Sequence, residues 1–445
     1  MTRPDQTRPD QTRPDQSTNY DLLYDKEFYG ESLYVNHFLD KKSAFRVIYD
    51  GYILPYTPFN EGGIFDNEGI YINGSSYVEG NHYGFKKSIS ASNTNLNTLA
   101  AEQGINLSET VQNHSTVVFI GIMLKVWGHF ITDSMRLLWF TSSQEYRDSF
   151  SDCPIAYFPA NDFKLEGNHK RLLEILGINT SLMTPVTELT RYDKIILPDE
   201  SFFISGGTQY FTSGYVETID RARDFASSHT KSAEPRKIYY SYSKYYRSIT
   251  SGEDKLEKYF AAKGYDILHP ETLSIDEQLD ALVNCESFAS TVGSSSHNVV
   301  FLRDNAEVIL IPRANFLTFH QLTTDQVHRL NIHYIDSSFS IFAGGVLGGD
   351  PFLYFISSGL RKYFHDEDTE SIIYPLDFWK YLRTVFGFRL GRHFGRIGQA
   401  DRPDTYRYYS TVAAEYFGKL FRKSWPYRLR QWLKKLLKRK KYLTP

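Results

Sequence analysis

Cysteine is nearly absent: the 445 residues contain two, Cys153 and Cys285. Two thiols form neither a disulfide framework nor a cysteine-based metal cluster, and they suit a reducing compartment. The amino terminus carries no apolar run, so no signal peptide is expected. Long hydrophobic stretches are missing too. The nearest, Ile341 to Leu360, is broken by glycine pairs and by Asp350-Pro351, and is not read as a membrane span. A metal motif is also lacking. The one Asp-x-Asp, Asp366–Asp368 in "HDEDTE", reads as an exposed acidic turn, so no metal ligands are assigned.

Overall charge is balanced, with 50 Lys and Arg against 52 Asp and Glu. The balance hides an asymmetry. Residues 422–441 hold ten of the basic residues and no acid, which leaves 40 basic against 52 acidic elsewhere, a net of −12. The body is therefore not expected to bind nucleic acid, and the tail is a separate electrostatic object. In "SWPYRLRQWLKKLLKRKKYL", Trp425, Leu429, Trp432, Leu433, Leu436 and Leu437 share one helical face while Lys and Arg fill the other. This pattern (taken as 422–445) suits a membrane-surface helix; a helix docked on the acidic body is the alternative.

Aromatic residues are plentiful, with 33 Tyr and 32 Phe. Such rings suit sugar faces, and they equally fill cores. The length calls for two domains plus extensions. Residues 1–16 contain three copies of "TRPDQ", proline-rich and devoid of apolar residues, and read as a disordered arm. Residues 17–230 read as a first α/β domain, with buried strands at "STVVFIGIM" and "CPIAYFPA" and a helix at "HKRLLEILGI" that stops at Gly177.

From 231 to 340 strands and helices alternate. "RKIYYSYS", "YDILHP", "SFASTV" and "EVILIP" are strands. "SGEDKLEKYFAAKGY", with Ser251 as its cap, and "TLSIDEQLDALVNCE" are helices. The alternation predicts right-handed parallel β-α-β units, half of a doubly wound sheet whose ligands bind at the carboxyl ends of strands. Residues 341–421 read as a helical and irregular extension.

Three constellations could carry chemistry. In "WGHFITDSMR", helical spacing puts His129, Asp133 and Arg136 on one face, where a carboxylate-held imidazole is a general base or a structural pair. In "GSSSHN", Gly293, Ser294, Ser295, Ser296, His297 and Asn298 offer amides and hydroxyls for a phosphate, or merely a helix cap. A nucleophilic Ser295 would need glycine where His297 stands. Arg236, Lys237, Lys244 and Arg247 bracket a strand as a cation set for a diphosphate, or as a solvated edge.

Taken together, "WGHFITD" (127–133) and the block from "RKIYYS" through "LHPETLSIDEQ" to "VILIPR" (236–313) resemble the glycosyltransferase family 61 proteins, the group with the domain of unknown function 563. The resemblance spans roughly half the chain in motif order. It implies two Rossmann-like domains in a glycosyltransferase B-type architecture, with an acceptor-side domain at 17–230 and a donor domain at 231–340. It also implies inversion at the anomeric carbon, a nucleotide-sugar co-substrate and no tightly bound metal.

Carried over by position, His129 and Asp133 match the family's acceptor-side pair, and Arg247 matches a basic residue near the donor phosphates. Glu271 and Gln278 match the acidic and amide positions near the base or ribose. Gly293, Ser294 and Asn298 match the glycine loop. The loop departs from the family's Gly-(Ala/Ser)-Gly-Leu-x-Asn at Ser295-Ser296-His297. The acid often found within the following strand is also missing, with Leu310 or Ile311 in its place.

The expected activity is sugar transfer to a hydroxyl of a surface glycan, capsular or other, at the cytoplasmic face of a bacterial membrane. The acceptor would be a glycan or a lipid-linked glycan. A non-catalytic nucleotide-sugar or glycan-binding protein, or a serine hydrolase, would be the alternatives.

Overall fold

The structure, a computed structural model, describes residues 18–23, 35–56, 62–72, 95–160, 163–205, 208–230, 234–245, 250–313, 317–339 and 351–395. The TRPDQ arm, Arg247 and the basic segment 422–445 lie outside the described residues. By its internal contacts the chain divides into two units. One comprises 1–242 with 260–336, and the other 243–259 with 337–445.

Among the described residues the first unit holds two six-stranded sheets. One is mixed. Its strands run in the order Gly63–Phe65, Phe45–Leu54, Thr190–Pro198, Val111–Met123, Ile155–Pro159, Met183–Pro185. Phe45–Leu54 pairs antiparallel with both of its neighbours, and the remaining pairs are parallel. The second sheet is wholly parallel, in the order Asn19–Leu23, Asn331–Ile335, Glu307–Ile311, Cys285–Thr291, Arg236–Tyr240, Asp266–Leu268. The segment nearest the amino terminus thus edges the sheet built from the latter half of the chain. The architecture is α/β with parallel-rich sheets.

Local chemistry explains the elements. The run Val117–Met123 is buried on both faces, as a central strand under helices must be, and it is accordingly continuously apolar apart from Gly121. The helix Ile275–Val283 starts at a capping box: the Ser274 hydroxyl accepts from Glu277 N, and the Glu277 carboxylate accepts from Ser274 N. Its Ile275, Leu279 and Leu282 are buried in the core shared with Phe288 and Val299. Each such side chain contributes about 1.5–3 kcal/mol over an exposed position.

The second unit contains a small sheet of Thr250–Ser251, Phe352–Tyr354 and Ser338–Phe339, with helices Ser358–Tyr363 and Pro375–Gly395. Here one expectation is corrected. Ser251 does not cap the helix Glu253–Ala262: Gly252, whose carbonyl accepts from Leu256 N, holds the cap position, and Ser251 pairs in parallel with Leu353. Gly252 makes the turn between them at φ +86°, and a Cβ there would lie 2.1 Å from the Tyr354 carbonyl oxygen. Only glycine fits so close to a neighbouring backbone. Asp366 and Asp368 are spent within this unit. Asp366 accepts from the Tyr259 hydroxyl at 2.7 Å, and Arg361 reaches both carboxylates. Among the described residues no helix is long and apolar enough to cross a membrane.

Candidate active site

The strand Val111–Met123 delivers the chain to Trp127, where a helical turn, Trp127–His129, opens into a wider π turn over Phe130–Ser134 and then tightens to a 3-10 helix over Met135–Ser142. The sequence favours this irregularity. Gly128 and β-branched Ile131 and Thr132 are poor regular-helix residues. The Thr132 hydroxyl lies 3.1 Å from the Gly128 carbonyl, and the Tyr215 hydroxyl donates to the Ile131 carbonyl at 3.0 Å. Such π turns recur at functional sites because they re-aim side chains.

Here the turn aims His129 and Asp133 at each other. His129 Nδ1 lies 2.7 Å from Asp133 Oδ2, and the Thr132 hydroxyl lies 3.0 Å from the same oxygen. Arg136, expected on the same face, instead reaches Glu200 at 2.8 Å and is buried there. A third partner arrives from elsewhere in the chain. His320, in the first turn of the helix Phe319–Asp325, places Nε2 3.6 Å from Asp133 Oδ1. Its ring meets that of His129 edge-on at 5.5 Å. Burial alone would raise the Asp133 pKa, but the two imidazoles outweigh it and hold the carboxyl well below the usual carboxylate range. The group is a standing anion with a histidine on each oxygen. Ligand atoms of His129, Asp133 and His320 lie within 4.8 Å of one another, a donor set that a transition metal accepts.

The loop 293–298 lies against this segment. A Cβ on Gly128 would fall 2.8 Å from His297 Cδ2 and 3.1 Å from Ser294 Cα, so glycine at 128 permits the approach. Trp127 Nε1 donates to Asn298 Oδ1 at 3.0 Å, and the Asn298 amide donates to the Ser295 carbonyl at 2.9 Å. Asn298 is fully buried and ties the two segments together.

The loop's polar groups are mostly turned inward. Ser295 Oγ sits 3.1 Å from Ser290 Oγ, and Ser295 N donates to the Tyr242 hydroxyl at 2.7 Å. The Ser296 hydroxyl accepts from Gly293 N at 2.9 Å and contacts the Gly293 carbonyl and Gln321. A nucleophilic Ser295 has no support in this arrangement, because the residue is buried and its hydroxyl faces another serine. Ser294 and His297 are partly exposed. His297 is pushed down to about 3, first by burial and then by the neighbouring His320 and His129, so it stands neutral.

The remaining expected residues are spread out. Gln278 is buried, and its amide donates to the carbonyls of Pro270 and Leu273, bracing its own loop. Glu271 is exposed in the turn Pro270–Thr272. Arg236 stands at the amino end of its strand, paired with Asp266 at 2.8 Å. Tyr240, level with Ser290, is at the end that faces the loop. Arg236 is therefore a strand's length from the glycine loop and does not join it. The cation that does is Arg313, two residues beyond the strand Glu307–Ile311. Its guanidinium lies over the Tyr242 ring at 5.3 Å, reaches Thr291 Oγ1 at 3.4 Å, and would contact a Cβ on Gly293 at 3.1 Å.

Sequence reasoning missed His320 and Arg313. For Arg313 a signal existed, its place just after a parallel strand; for His320 there was none. Residues 127–309 match the family model for Glycosyltransferase 61. The match starts in the His129 turn and ends within the strand after the glycine loop, so His320 and Arg313 lie beyond it. No curated protein matches the sequence. Over residues 127–309 the chain carries a glycosyltransferase family 61 domain, which supports its being a glycosyltransferase.

Proposed function

We propose that the protein moves a sugar from a nucleotide-sugar donor to a hydroxyl of a surface glycan, with inversion at the anomeric carbon. The observation that carries this reading is the 2.7 Å contact between His129 and an Asp133 held ionised. The Nδ1 proton of His129 is donated to Asp133, which fixes the tautomer and leaves Nε2 as the basic atom. Nε2 takes the proton of the acceptor hydroxyl as its oxygen forms the new bond to the anomeric carbon. The bond from that carbon to the diphosphate oxygen breaks, and the electron pair leaves with the nucleotide.

The donor diphosphate lies by this reading at the carboxyl end of the parallel sheet, near Gly293 and Ser294. Arg313, together with Arg247 from outside the described residues, offsets the charge that develops on the leaving group. With two cations in that role the leaving group needs no metal. The two six-stranded sheets then correspond to the two halves of a B-type glycosyltransferase, acceptor side and donor side. The segment 422–445 would hold the enzyme to the anionic cytoplasmic leaflet, where lipid-linked acceptors of capsular or similar polysaccharides are found.

The test is transfer from a panel of nucleotide sugars by the purified protein, with and without chelator. Transfer that survives chelation supports the reading. Nucleotide binding without transfer from any donor would favour a non-catalytic binder.

A further inference from the structure

His320 has no role in the proton transfer just described, yet it faces the same carboxylate. Its separation from Asp133 is informative. At 3.6 Å, Nε2 and Oδ1 are too far apart for a hydrogen bond. Two ligands of one tetrahedral zinc-type ion, each at its usual bond length, stand about 3.3–3.5 Å apart, a spacing the His320 pair nearly meets and to which the His129 pair, now hydrogen-bonded at 2.7 Å, would open. The three ligand atoms come from two distant segments and converge within 4.8 Å. Imidazole and carboxylate are the ligand types that zinc and its neighbours prefer. The carboxylate is oriented by the Thr132 hydroxyl at 3.0 Å, as the outer partners of metal ligands are. All three side chains keep some exposure, between 13% and 18%.

We propose that His129, Asp133 and His320 form a binding site for a divalent transition-metal ion of the zinc class, and that the bound ion switches the enzyme off. The ion takes the lone pair at His129 Nδ1, where a proton now bridges to Asp133. In the neutral ring that proton moves to Nε2. Nε2 then has no lone pair with which to accept the proton of the sugar acceptor. The binding half of the proposal stands on the three side chains alone; the inhibitory half rests on the function proposed above.

The experiment uses the full-length, untagged protein stripped with chelator. Titration with Co2+ is read by its visible d–d absorption, and titration with Zn2+ by calorimetry. One equivalent is expected to bind to the wild type, and His320→Ala is expected to weaken binding at least tenfold. His114→Ala, at an exposed histidine elsewhere, is expected to leave it unchanged. Equal binding by wild type and His320→Ala overturns the site, as does the lack of binding up to about millimolar metal. Should His320→Ala not fold, X-ray absorption of the zinc-loaded wild type reads the ligands directly. Two imidazoles with oxygen support the site, and sulfur ligation overturns it. Zinc that lowers transfer in step with occupancy, reversed by chelator, supports the inhibitory half; full transfer by zinc-loaded protein overturns that half. A wild type with no transferase activity refutes the proposed function while the binding titration still decides the site.

Discussion

Two buried aspartates in the first unit behave in opposite ways. Asp133 is held ionised, because a histidine stands at each of its oxygens. Asp325 lies at the far end of the helix that carries His320. Its partners are neutral: the Tyr334 hydroxyl donates to one oxygen and the Gln321 amide to the other, at 2.8 Å. Burial dominates there and pushes Asp325 up to about 7. Burial costs both groups the same kind of solvation, and the difference lies in whether a neighbour can carry positive charge. By the proposed mechanism, charge is kept at the residue that orients the base. At Asp325, where the carboxyl only joins a helix to the strand Asn331–Ile335, the fold favours the neutral form.

The contrast can be broken by mutation. The largest effect is expected for His129→Ala, a fall in kcat of about 10²- to 10⁴-fold with nucleotide binding retained. Next is Asp133→Asn, which removes the anion but keeps the shape. Transfer should fall by about 10²-fold, since the amide no longer fixes the basic tautomer.

Asp325→Asn should leave transfer largely unchanged and alter stability instead. A carboxyl whose folded pKa is raised supports the fold below its unfolded pKa, and that support is lost as pH rises through about 7. The stability of Asp325→Asn relative to wild type should therefore rise between about pH 4 and about pH 8, by on the order of 4 kcal/mol. A constant difference in denaturant midpoints across that range would remove the contrast. The smallest effect is expected for Asn298→Ala, which unties the loop from Trp127. Denaturation should show a loss of about 1–3 kcal/mol, from the buried donors and acceptors left without partners.

Much of the scaffold was legible in the sequence. The apolar strand runs and the glycine stop at Gly177 are local signals, and local signals survive folding. The His129–Asp133 pair was legible for the same reason, being one turn apart. His320 was not, because its approach to Asp133 depends on where a distant helix packs. The wider turn at Phe130–Ser134 also escaped, since regular helical spacing placed Arg136 beside His129 when the chain sends it to Glu200. The loop "GSSSHN" showed the right residue types but not their direction. Two of its three serines face inward, and only the folded backbone reveals that. Arg236 was misplaced for a readable reason: in a parallel strand the first residue lies at the end opposite the ligand.

In the proposed mechanism His129 acts as the base of a transfer reaction. The most direct measurement is the rate of sugar transfer from a nucleotide sugar that stabilises the protein, for wild type and for His129→Ala proteins with equal thermal stability and equal nucleotide affinity. The account predicts transfer by the wild type and a loss of at least about 10²-fold in the variant. A variant that transfers within about threefold of wild type would contradict it, since removing a positioned general base costs far more than that.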